Sequence, residues 1–276
     1  MTAGLRAQSI WRALRLTVTA LLLAFLIAPM IIVVIISFSS APFLSFPPPG
    51  FSMQWYSKLF ADAAWVESLA TSVKIVIPTG VLAMTIGTAA ALGLSRSSIP
   101  GKNMILGLLM SPIVVPVIIV AAAIFGVFRA WNLIGTLIGF ILAHTVLTVP
   151  YVVSMVLASL QMVDEQYEKA ALTLGASPWI VFRRIVLPLI LPGVLSGLLF
   201  AMVISFDELV VSLFISSPTL RPVTVQMWSD VLGDINPTIA AIGTLLFLFS
   251  LLVLLAEALM RRSGKLGQFR LFGDVA

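Results

Sequence analysis

The sequence predicts an all-α, polytopic membrane protein with six transmembrane helices, and three observations lead there. Charged residues make up only 10% of the chain and apolar residues 60%, against about 25% charged in an ordinary soluble domain. Mean hydropathy is +1.14, and the apolar residues gather into long runs, each near the roughly 20 residues that carry a helix across a bilayer. Basic residues sit at the ends of those runs. Despite the net charge of +5, that placement is a signature of orientation in a membrane and not of nucleic-acid binding. The 276 residues hold several spans and little mass outside the lipid bilayer, so the chain reads as one transmembrane domain over residues 1–276. It has no cysteine, which removes disulfides, thiolate metal sites and thiol nucleophiles.

The first run, residues 16–36, follows Arg6, Arg12 and Arg15. It is too long for the apolar region of a secretory signal and is expected to stay as the first span. Next comes a turn-rich stretch with Pro47, Pro48, Pro49 and Gly50, then Phe51, Trp55, Tyr56 and Phe60. Prolines stop helices, and the aromatic group predicts an interfacial helix at the outer surface. The second span covers 66–94 and ends at a basic turn from Arg96 to Lys102. The third, 103–128, carries Pro112 and Pro116, and the fourth, 134–160, carries His144 and Pro150. Prolines inside spans free carbonyls that neighbours must satisfy, so kinked helices around a shared pathway are expected. The fifth span covers 185–215 and the sixth 237–260, followed by a basic tail from Arg261. All but four of the sixteen Lys and Arg residues fall in the N-terminal stretch, the Arg96 turn, the 161–184 loop or the tail; the four are Lys58, Lys74, Arg129 and Arg221. The positive-inside rule then places both termini and the loop in the cytoplasm.

The 161–184 loop is the charged interruption around which the spans are arranged. Tyr167, Ala170, Ala171 and Leu174 recur at helical spacing on one face. Gly175 ends that helix, and Ser177 before Pro178 is the N-cap and first-turn signature of a second helix. The expectation is helix, sharp turn, helix.

That spacing resembles the cytoplasmic EAA loop of permease subunits of type I ATP-binding-cassette importers: E-A-A, three residues, G, nine residues, I-x-L-P. Ala170, Ala171, Gly175, Ile185, Leu187 and Pro188 fall in register, while Lys169 stands directly before the alanines and Glu168 one place earlier. The resemblance implies a type I importer permease fold and a coupling role for Glu168, Lys169, Ala170, Ala171, Gly175, Ala176, Pro178 and Trp179, the group that meets an ATPase subunit. It also implies a second permease subunit, homologous or identical, two cytoplasmic ATPases that carry ATP and Mg, and a periplasmic solute-binding protein, all at a bacterial inner membrane. ATPase closure would drive alternating access through the loop. The stretch from Phe46 to Phe60 and the Ser205-Phe206-Asp207-Glu208 stretch resemble spermidine/putrescine permeases, which implies a small cationic amine as solute. Relatives in the same superfamily carry ferric iron, thiamine or phosphonates, and an ion-gradient-driven carrier is the alternative class.

The chain itself carries no engine. Gly101-Lys102 and Gly264-Lys265 are followed by Asn and Leu and lack the upstream glycine of a P-loop. No metal-binding motif and no nucleophile–base set is present in the sequence, so no cofactor is expected in this chain. The single histidine, His144, sits among apolar residues and is expected to be packed and hydrogen-bonded. The informative charges are Asp207 and Glu208, because an ionisable group inside a span costs at least about 2.5 kcal/mol and faces a partner or a wet cavity. Asp207 lies roughly 35 Å along the helix from Arg184, at a depth similar to that of Lys74. One carboxylate is therefore expected to pair structurally with Lys74. The other, some 100 degrees around the helix, is expected to line the solute pathway.

Overall fold

The computed structural model describes residues 2–97, 99–233 and 235–273. Long apolar runs with few breakers become helices because the helix satisfies every interior N–H and C=O within its own segment, as a bilayer demands. Among the described residues there is no sheet, only two isolated β-bridges. Five helices among the described residues are long and apolar enough to cross a membrane, and a bent pair makes up to a sixth crossing. The protein is a multi-pass membrane protein. By backbone contacts it forms two compact units.

The first unit comprises the chain up to Ala63 together with Ser229–Phe249. Helix α1 (Thr2–Ser37) leads into a loop that folds back on itself. Ser40 N–H donates to Gly50 O at 3.0 Å and Ser52 N–H to Phe38 O at 2.7 Å. Helix α2 (Gln54–Ala61) locks this loop: Trp55 Nε1 donates to Ser39 O at 2.7 Å, and the Tyr56 hydroxyl meets Ser37 Oγ at 2.8 Å. The expected interfacial aromatic group is thus divided. Trp55 is buried as a loop staple, whereas Phe51 and Phe60 stay exposed.

The second unit is the chain from Ala64 to Trp228 together with the residues from Ser250 onward. Helix α3 (Ala63–Arg96) is followed by α4 (Lys102–Val114) and α5 (Val117–Ala130). These two were expected as one span, 103–128, but they meet at 104°. The cause is local: Val115 precedes Pro116 and takes the extended backbone that a following proline favours, ψ 133°. Helix α6 (Leu137–Leu160) starts at an N-cap, with Thr136 Oγ1 accepting from Gly139 N–H at 3.0 Å. It packs most extensively on α9 (Leu187–Asp207).

Small residues make that contact close. A Cβ added at Gly87 of α3 would lie 2.7 Å from Val152 Cγ1, and one at Gly197 of α9 would lie 3.1 Å from the same atom, so Val152 of α6 is held between two glycines. Around it, Ala83, Ala91, Val153, Val156, Ile190 and Val194 form the core at the end near the 161–184 loop. A second cluster lies further along, with Ile75, Ala121, Phe140, Ala143, Val211 and Ile215.

Candidate functional site

The loop opens with α7 (Glu165–Thr173). Asp164 caps it, Oδ1 accepting from Gln166 N–H at 2.9 Å, and Glu165 and Glu168 in the first turn complement the helix dipole. It ends in a Schellman turn: Gly175 takes φ 86°, its N–H donates to Leu172 O at 3.0 Å, and Ala176 N–H donates to Ala171 O at 3.1 Å. Ser177 Oγ then accepts from Ile180 N–H, with Pro178 in the first turn.

Beyond Ser177 the chain departs from the expected short second helix. Helix α8 (Pro178–Val181) runs without interruption through a π-helical segment, Phe182–Val186, into α9, so Pro178–Asp207 is one continuous rod. The loop proper therefore stops at Ser177, and Trp179 sits on the first turn of a span.

Ala171 and Ala176 turn inward against the core, while Leu174 is 88% exposed and Trp179 65% exposed. Leu174 points outward at the tip of a charged loop, and Trp179 stays mostly exposed although its ring lies 5.6 Å from that of Phe182 one turn on. Lys169 reaches back to Glu165 Oε2 at 3.2 Å. Glu168 pairs with Arg96, whose other terminal nitrogen lies 3.1 Å from Glu165 Oε1. Sequence reasoning missed Arg96 because the positive-inside pattern already accounted for it. The available signal was the pair of carboxylates three residues apart on α7, facing a basic turn.

The second candidate centre is where α9 ends. The expected fifth span, 185–215, is broken: Glu208 is extended at ψ 112°, and α10 (Val210–Ile215) starts anew. Glu208 Oε1 accepts from Val211 N–H at 2.8 Å, and its carbonyl accepts from Thr224 Oγ1 at 3.0 Å. A carboxylate that caps the next helix supplies the orphan N–H groups with a partner, and this stabilises the break. Asp207 is exposed, and its carboxylate makes no hydrogen bond or ion pair among the described residues. The proposed partner of the pair is not there. Lys74 is exposed on α3 and bonds to neither carboxylate, because Ser72, Ile75 and Val76 take the buried face of that turn.

His144 spans the break instead. It is 1% exposed, with Nδ1 2.9 Å from Ser205 Oγ on α9 and Nε2 3.0 Å from Ser212 Oγ on α10. Ser72 Oγ accepts from Val223 N–H at 2.8 Å, which ties α3 to the start of α11 (Val223–Gly233). Neither serine of the His144 pair was singled out from sequence, although they sit seven residues apart and flank the carboxylates. No group of three His, Cys, Asp or Glu side chains placed to hold a metal occurs among the described residues.

The model of the binding-protein-dependent transport system inner membrane component family matches residues 83–265. The chain belongs to this family. As such an inner membrane component it is a transport subunit and not an enzyme, and the matched region contains both the Gly175 turn and the broken helix at Glu208. The chain is 33% identical over 245 residues to the spermidine/putrescine transport system permease protein PotC of Haemophilus influenzae, covering 87% of this chain and 93% of that protein. It is 32% identical over 239 residues to the putrescine transport system permease protein PotI of Escherichia coli K12, covering 84% and 85%. A chain of the bacterial alginate ABC transporter, solved in complex with alginate pentasaccharide-bound periplasmic protein, shares the fold, with TM-score 0.69 at 15% identity over 91% of this chain and 92% of that one.

Proposed function

We propose that this chain is the permease subunit of an ATP-driven importer of polyamines, spermidine or putrescine, working with a second permease subunit, two cytoplasmic ATPases and a periplasmic solute-binding protein. The observation that carries the substrate class is similarity over more than four-fifths of the chain to two permeases named for those amines. Asp207 fits it, being an exposed carboxylate at a helix break with no internal partner, where a cationic amine finds a counter-charge and unwound backbone. Glu208 takes the structural role through its cap on α10.

In this reading the termini and α7 face the cytoplasm. Leu174 and Trp179 enter a groove of an ATPase that binds ATP and Mg, with Glu168, Lys169, Ala170 and Gly175 shaping the knob and Ala171, Ala176 and Pro178 seating it on the span. Closure of the two ATPases draws the coupling loops together and turns the spans from inward-open to outward-open, so that solute delivered by the binding protein enters past Asp207.

The test is ATPase activity of the complete complex in proteoliposomes, with its binding protein, against spermidine, putrescine and unrelated small solutes. Stimulation by a polyamine in the wild type, weakened in Asp207→Asn with assembly intact, is the expected result. Stimulation by an unrelated solute, unchanged in Asp207→Asn, would overturn the assignment.

A further inference from the structure

We propose that Arg96 is a positioning residue for coupling, fixing the 161–177 loop to the end of α3 so that loop and helix move as one body. The inference rests on the coupling role proposed for the loop. Apolar adhesion alone leaves that attachment incomplete. Ala171, Ala176 and Phe182 lie against the core, yet a cavity of about 190 Å³ remains beneath α7, lined by Leu92, Glu168, Leu172, Pro178, Val181 and Phe182. Across such a gap facing side chains lose part of their mutual contact and resist tilting less.

The Arg96 guanidinium reaches α7 beside this cavity, through Glu168, one of the residues that line it. One terminal nitrogen donates to Glu165 and the other to Glu168. The two carboxylates stand one turn apart on α7, where a planar fork can hold both. Two points of attachment fix the rotation of α7 about its own axis, which a single charge pair leaves free. The arginine and Glu168 side chains are only 25% and 20% exposed, so water screens the contact less than on an open surface. Arg96 Nε is buried without a hydrogen-bond partner, so the carboxylates, and not the surroundings at the end of α3, set where the guanidinium sits. On the far side of the turn, Lys102 Nζ donates to Ser95 O at 3.4 Å and closes α3.

The experiment measures solute transported per ATP hydrolysed by the complete complex in proteoliposomes. In Arg96→Gln the ratio is expected to fall by about 3- to 30-fold, the range for residues that carry coupling between sites, while ATP hydrolysis continues. The charge exchange Arg96→Glu with Glu168→Arg is expected to recover part of it. Because the chain has no cysteine, Arg96→Cys with Glu168→Cys can be bridged by a short bis-thiosulfonate, with the other subunits made cysteine-free. The bridged complex is expected to transport with a higher ratio than the same complex after reduction. An unchanged ratio in Arg96→Gln, or transport lost on bridging and regained on reduction, would overturn the proposal. A wild-type complex without ATP-dependent transport would instead overturn the importer reading, and it reads out before any variant is made.

Discussion

A Cβ on Gly193 would lie 2.7 Å from the Cβ of Ser159 and 2.9 Å from the carbonyl oxygen of Met155, so α9 touches α6 backbone to backbone at this point. The contact needs hydrogen at position 193, since no rotamer change at Ser159 moves the Met155 carbonyl. Gly193→Val is expected to lower stability by about 1–3 kcal/mol, the usual cost of overfilling a close contact. Thermal unfolding in detergent measures it. Gly193→Ala in a Ser159→Gly background should lose less than the two single changes combined, because only the backbone clash remains.

His144 offers a second test. Both ring nitrogens are satisfied, one on each side of the α9–α10 break, and His144→Phe strands two buried hydroxyls. A serine on a helix can turn back to a carbonyl of its own turn, which keeps the loss near about 1–3 kcal/mol. The readout is the unfolding midpoint, with Ser205→Ala/Ser212→Ala as partner in a double-mutant comparison. Strictly additive losses from His144→Phe and the double serine change would show that the bonds contribute nothing.

The Gly175 turn separates strain from crowding. Its φ is 86°, and a Cβ there would meet nothing within 4 Å, so Gly175→Ala suffers only the left-handed backbone, roughly 1–2 kcal/mol. Gly175→Pro should lose more, because it also removes the N–H that bonds Leu172 O. Gly175→Asn should behave nearly as wild type, as asparagine tolerates this region. Hydrogen exchange of α7 in the three variants gives the order directly. Asparagine as damaging as proline would contradict the assignment.

Glu165 gives a pH experiment. Lys169, by hydrogen bond and charge, and then Arg96 hold its carboxyl below the usual carboxylate range. A carboxylate with a lowered folded-state pKa gives its full contribution above the ordinary value of about 4.3 and loses it as pH falls through the lowered one. Protection of α7, corrected for intrinsic exchange, should therefore stay level from about pH 8 to about pH 5 and decline only below about 4. In Glu165→Gln the acid decline should shrink. A step in the wild type near pH 6 to 7 would assign control to another group.

The fold was legible because its main determinants act along the chain. Apolar length and the placement of Arg and Lys mark the spans, and Gly175, Ser177 and Pro178 mark the loop turn through local backbone chemistry. What escaped depends on contacts between distant segments or on competition within one. Pro112 and Pro116 signalled a kink, but only Val115 in its extended state shows a 104° elbow. Asp207 and Glu208 signalled a site, yet the cap on Val211 and the bridging by His144 decide which carboxylate is free. Lys74 was matched to them by depth alone, and depth carries no information about the rotation of α3, which turns that residue outward. The pairing of Arg96 with α7 joins positions some seventy residues apart and leaves no local mark.

Val152, caught between Gly87 and Gly197, also limits how the protein can move. A slip of α9 along α6 by one turn, about 5.4 Å, would in one direction bring Leu189 or Ile190 to the place where Gly193 now admits the backbone of its neighbour. In that direction the keyed surfaces do not slide. Helices α3, α6 and α9 therefore resist that shift, and Val152 between the two glycines ties the trio together as one body. Asp207 closes α9 at the end away from the Gly175 turn, so a displacement of the trio as one body reaches both places together.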